Sequence, residues 1–191
     1  MTVGPTPAPD GGVRSATADP RVPENLLGAV LDAWDRGTTI LTRLLRALPP
    51  GGLEARVLPG SPTVAAQFTH VRDVRLFFVS QTAPDVAGVP PDLFRSEGDG
   101  WTAERDADRV AALLADSARA VREAVRRRVA AGEALRGAHV AYDHPVLLLQ
   151  HLLWHEGYHV GQIMLALKAA GRPLSDGEAE AALWGVWRRE W

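Results

Sequence analysis

The sequence predicts an all-α protein: an up-and-down-type four-helix bundle with a short extra C-terminal helix. Two observations predict it. Four long segments place apolar residues at alternating steps of three and four, and almost no segment alternates with a period of two. The 191-residue length fits one domain, and a hydrophobic fraction of 46% is ample for a core.

Residues 1–24 are rich in Pro, Gly, Ala and Thr without apolar periodicity and are expected to be a disordered tail, leaving 25–191 as the domain. From Asn25, the residues Leu27, Leu31, Trp34, Thr38, Leu41, Leu45 and Leu48 form the seam of a first helix. Pro49-Pro50-Gly51-Gly52 stops it. The following LEARVLPG reads as a short extended connection. Ser61 as cap and Pro62 at the first position open a second helix that runs to about Ser80. It carries His70 on the side shared with Ala66, Val74 and Phe77.

A loop from Gln81 to Trp101 follows, long enough to lie over a site, though a plain surface crossover fits equally well. Thr102 is the expected cap of a third helix. Its buried stripe is Val110, Leu113, Leu114, Ser117, Val121, Ala124 and Val125, and it ends at Ala131-Gly132. Arg126-Arg127-Arg128 reads as a solvated helix end, where positive charge suits the macrodipole.

The fourth helix is the centre of the chain. From His144 to Gly171 it holds His151, His155 and His159 at i, i+4 and i+8, with Gln162 three residues further. Asp143 or His144 can cap it, Pro145 sits in the first turn, and Gly171 with Pro173 ends it. His155 and His159 lie about 40° apart around the axis and about 6 Å apart along it, within reach of one metal ion. His151 and His159 are about 12 Å apart, too far to share one easily. Gly157 costs roughly 1 kcal/mol against alanine, which fits either room for a ligand or close helix packing. A last helix begins at Ser175, which forms a capping box with Glu178. Trp184, Trp187 and Trp191 lie on one of its faces, either covering the bundle or making a dimer contact.

Composition excludes several functions. A net charge of −2 gives no basic footprint for nucleic acid, and there is no cysteine for a disulfide, a thiolate ligand or a nucleophile. No signal peptide or membrane span is visible, so a soluble cytoplasmic protein is expected. Any metal must be held by nitrogen and oxygen. His70, on a facing bundle helix, is the candidate third ligand beside His155 and His159. Histidines held only by hydrogen bonds are the plain alternative. His139 and His144 read as surface residues, and His151 as a core or supporting residue.

His155-Glu156-Gly157-Tyr158-His159 also matches H-E-x-x-H, the zinc metalloprotease helix with Glu156 as general base. That reading is the weaker one. No histidine follows within VGQIMLALKAAG, and no strand is available to align a peptide.

The run HLLWHEGYHVGQIMLALKAAGRPL resembles the C-terminal signature of the DinB-like (damage-inducible) metalloprotein family, and the context of His70 is of the same type. The resemblance spans about Asn25 to Leu174. It implies a four-helix bundle with a divalent ion, zinc or nickel, held by His70, His155 and His159, matched alongside Gly161 and Gln162. It also implies metal-activated water or a low-molecular-weight thiol, in hydrolase or thiol S-transferase chemistry on a small-molecule substrate, and a homodimer. Lacking cysteine, the chain would need an external thiol. Glu156, Tyr158 and Gln162 are candidates to support the ligands or a substrate. The alternative is a non-catalytic metal-binding bundle acting in stress response through partners.

Overall fold

The computed structural model describes residues 26–86, 96–97, 100–101 and 103–188. Four long helices, α1 (Leu26–Arg46), α2 (Val64–Thr82), α3 (Ala107–Ala131) and α4 (Val146–Ala169), form the bundle, followed by the short α5 (Asp176–Ala182). The all-α expectation holds. The strand content among the described residues is two antiparallel ladders of two residues each: β1 (Ser96–Glu97) with β2 (Gly100–Trp101), and β3 (Leu135–Arg136) with β4 (Ala141–Tyr142). The expected N-terminal tail, Thr102, Trp191 and most of the 81–101 segment lie outside the described residues.

The helix ends follow capping chemistry, with the caps shifted from two expected positions. Thr63, not Ser61, caps α2 by accepting from the Ala66 N–H, while the Ser61 hydroxyl closes a turn onto Leu58. Proline at position 62 then precedes the cap instead of entering the helix. Asp106, not Thr102, caps α3 by accepting from the Arg109 N–H. Pro145 itself occupies the cap position of α4, and the His144 ring accepts from the Val146 N–H. The Ser175–Glu178 capping box is present, and Gly132 and Gly171 end α3 and α4 with φ of 68° and 69°. The connection after α1 contains a 3-10 turn at Gly52–Glu54 in place of an extended segment.

α1 packs against α3 and α4, and α2 packs against the same two, so α1 and α2 occupy opposite corners. The apolar interior has two halves. One centres on Leu41, Phe68, Leu114, Ile163 and Leu167; the other on Trp34, Val79, Val121, Leu149 and Leu152.

Between them lies a polar layer built on Arg75, with contributions from all four long helices. The Arg75 guanidinium donates to both Glu156 oxygens at 2.6 and 2.7 Å, to the Leu114 carbonyl at 2.9 Å and to Thr38 Oγ at 3.3 Å. Ser117 Oγ lies 3.5 Å away, and the Trp34 ring stacks 4.7 Å from Arg75 Cζ. Thr38, Ser117 and Glu156 each sit where their helix passes from one apolar half to the other. The β3–β4 hairpin rests on the end of α2, so closely that a Cβ on Gly137 would fall 2.2 Å from the Gln81 carbonyl oxygen. That contact sets Tyr142 beside α4.

Candidate metal centre

The i, i+4 spacing on α4 and the packing of α2 against it bring three imidazoles to one point. His155 Nε2 lies 3.3 Å from His70 Nε2 and 3.2 Å from His159 Nε2. The ring planes are tilted at 52° to 68° to one another, so the nitrogens converge instead of stacking. These are the three histidines the sequence reading singled out, and they form a group able to hold a metal ion.

The contacts fit an ion better than hydrogen bonds. His155 Nε2 faces both neighbours, and one ring proton cannot serve both. Zinc–nitrogen bonds of about 2.0–2.1 Å at tetrahedral angles separate nitrogens by about 3.3 Å, matching the observed spacing. The Gln67 amide oxygen accepts from His159 Nδ1–H at 3.3 Å, which leaves His159 Nε2 as the bare nitrogen facing the cluster. His155 Nδ1 is buried without a partner among the described residues.

Electrostatics favour the same state. Burial, reinforced by His70, His151 and Arg75, lowers His155 to about 4. Burial, with His155 and His70, lowers His159 to about 4. Both are therefore neutral near pH 7, the form in which imidazole binds a metal. No fourth His, Cys, Asp or Glu joins the cluster among the described residues. Its open side gives onto a hollow of about 360 Å³ lined by His70, His155, His151, Val74, Phe77 and Phe78.

The remaining candidates fall elsewhere. Glu156 is buried, not solvent-facing, and both its oxygens are held by Arg75. It supports the bundle rather than a ligand histidine, and the H-E-x-x-H reading loses its general base. Tyr158 is exposed and meets His159 edge-on at 5.3 Å. Gln162 is half-buried, and the amide bonded to the cluster is Gln67, one turn before His70.

His151 is exposed at the rim of the hollow and not in the core. Its Nδ1 lies 2.7 Å from the Tyr142 hydroxyl, and Phe78 packs edge-on at 5.0 Å. Burial raises the Tyr142 pKa, so the phenol stays protonated and hydrogen-bonds the ring as a neutral hydroxyl. His139 and His144 are exposed, as expected.

Gly157 has no atom within 4 Å of a built Cβ. It opens onto a separate apolar hollow of about 250 Å³ that Trp184 and Trp187 help to line, so close packing does not explain it.

Gln67, Arg75 and Tyr142 are the site-building residues that sequence reasoning missed. Gln67 had a readable signal, since it precedes His70 by three positions on the same helix face. Arg75 had a weaker one, a cation directly before the apolar run Leu76-Phe77-Phe78-Val79.

Fold and cluster define a class: an all-α bundle with three facing-helix imidazoles able to hold a divalent ion. The profile of the DinB superfamily matches residues 33–163, more than half of the chain, and the protein belongs to that superfamily. Neither a curated protein nor a solved structure is significantly similar to it.

Proposed function

We propose that the protein is a divalent-metal-dependent enzyme. In this reading His70, His155 and His159 hold the ion, zinc or nickel, and the reaction is a hydrolysis or a thiol S-transfer. The carrying observation is the convergence of three Nε2 atoms, 3.2 and 3.3 Å apart, beside an open hollow with no fourth protein ligand among the described residues. A closed site would mark a structural metal; an open one leaves a position for reaction.

A bound divalent ion would act there as a Lewis acid toward water or a low-molecular-weight thiol. The chain's own residues do the rest. Gln67 fixes the His159 ring so that Nε2 points inward. Val74, Phe77 and Phe78 give the hollow apolar walls suited to the non-polar part of a small substrate. His151, held by Tyr142, presents its other ring nitrogen at the rim, where it can hydrogen-bond a substrate bound there. With no cysteine in the chain, a reacting thiol must be supplied by a cofactor.

The test is elemental analysis of untagged protein prepared without chelators, beside His70→Ala, His155→Ala and His159→Ala. Near-stoichiometric metal in the parent, and loss of most of it in each variant, is the expected result. Protein that stays empty after incubation with zinc, nickel and manganese sinks the proposal. Metal-loaded protein is then screened with simple hydrolase substrates and with thiol cofactors. Failure in every screen would leave the metal site standing and favour the non-catalytic bundle.

A further inference from the structure

A glycine inside a helix costs stability against alanine, so it normally has a structural reason: a left-handed φ, or a neighbour too close for a Cβ. Gly37 on α1 has the second, since its Cβ would fall 2.7 Å from Leu153 Cδ2. Gly157 on α4 has neither. Its φ is not positive, and a Cβ built on it meets no atom within 4 Å. What the missing side chain leaves free is volume, in the apolar hollow of about 250 Å³ between α1 and α4.

That hollow has fixed walls. Ile40 and Leu41 line it from α1, Leu153 and Val160 from α4, and Trp184 and Trp187 from the turn after α5. The turn is tied to α1 through its backbone. The Arg36 guanidinium donates to the Val186 carbonyl at 2.6 Å, and Arg43 donates to the Ala181 carbonyl at 3.1 Å. Two cations of α1 thus hold the segment that carries both indoles. Gly157 and the two indoles are exposed, which places the mouth of the hollow between them. None of its lining residues belongs to the hollow beside the histidines, which lies between α2 and α4.

The chemistry of the lining selects an occupant. Glu156 is its one ionisable group among the described residues, and Arg75 holds both Glu156 oxygens at 2.6 and 2.7 Å. A charged ligand would find no partner there, and burying a charge without one is costly. The indoles offer broad faces on which a flat ring stacks. An apolar cavity of about 150 Å³ holds one benzene ring, so about 250 Å³ suits two fused rings.

We propose that this hollow is a second binding site, for an uncharged planar aromatic molecule of about two fused rings, seated between Gly157 and the indoles of Trp184 and Trp187. The site does not depend on metal at the histidines.

Calorimetric titration of the full chain with 2-naphthol tests it, with 2-naphthoate as the charged counterpart. A dissociation constant on the order of 100 µM is expected for naphthol, and naphthoate should bind at least ~10-fold more weakly. Gly157→Leu fills the hollow and should abolish binding. Trp184→Ala should weaken it at least ~10-fold, with helical circular dichroism unchanged in both variants. Phe77→Ala, which trims the hollow beside the histidines, should leave the affinity as it is. No binding at about 1 mM naphthol overturns the proposal, as does full affinity in either Gly157→Leu or Trp184→Ala. So does a loss in Phe77→Ala, or naphthoate binding as tightly as naphthol. A gain of ~10-fold in Trp191→Ala would make the chain's own last ring the occupant, and would overturn it too.

Discussion

At the scale of single residues, the imidazoles of His155 and His159 carry a consequence that can be measured without any metal. Burial lowers both to about 4, from an ordinary value of 6.5. In the unfolded chain they take up protons near 6.5, so between those values the unfolded state binds more protons than the folded one. Their contribution to stability is therefore complete above about pH 6.5 and drains away as the pH falls toward 4. Metal-free protein is expected to lose more of its urea midpoint between pH 7 and 4.5 than a His155→Gln/His159→Gln variant. Equal losses in the two proteins would refute the assignment. The spacing of these two histidines was legible because i and i+4 share a helix face whatever surrounds the helix. Their partners were not, because nothing local says which way α2 turns Gln67, or that Tyr142 reaches His151 from a hairpin.

At the scale of elements, the helices were legible and their junctions were less so. The seam of α1, the stripe of α3 and the Ser175–Glu178 box appear where the periodicity and the capping residues put them. Two caps moved along the chain, to Thr63 and Asp106, because several residues near each helix start are able to cap and the tertiary path selects among them. Glu156 shows the larger failure. Its motif advertised chemistry, yet α2 supplies Arg75, and together they form the polar layer that ties four helices. Glu156→Ala leaves a buried, uncompensated guanidinium and is expected to cost about 3–5 kcal/mol in chemical denaturation. Arg75→Met combined with Glu156→Leu should recover most of that loss, since an apolar pair of similar volume removes the unpaired charge. A small loss of stability in Glu156→Ala would show that the pair is not the structural link assigned to it.

At the scale of the whole molecule, the clustered histidines come from two helices, with His70 and His155 85 residues apart in sequence. An ion joining them links α2 to α4 and binds only the folded chain with high affinity. Free zinc or nickel at about 100 times its dissociation constant should therefore stabilise the protein by about 2.7 kcal/mol. For a chain of this size that is a rise of roughly 5–10 °C in the calorimetric midpoint, absent in His155→Ala. No shift in the parent at saturating metal would mean that the ion does not join the two helices.

The sequence by itself determined the all-α class, the number of long helices and the His155–His159 pair, because helix periodicity and i, i+4 spacing are properties of the local chain. His70 enters as a candidate through bundle packing and the family resemblance, and its meeting with the pair is a tertiary contact. Tertiary structure alone decided that Glu156 is buried against Arg75, that Gln67 rather than Gln162 bonds the cluster, and that His151 stands at the rim of the hollow. A side chain's surroundings depend on which helix corners pack together, and contacts between residues far apart in sequence leave no periodic signal in it.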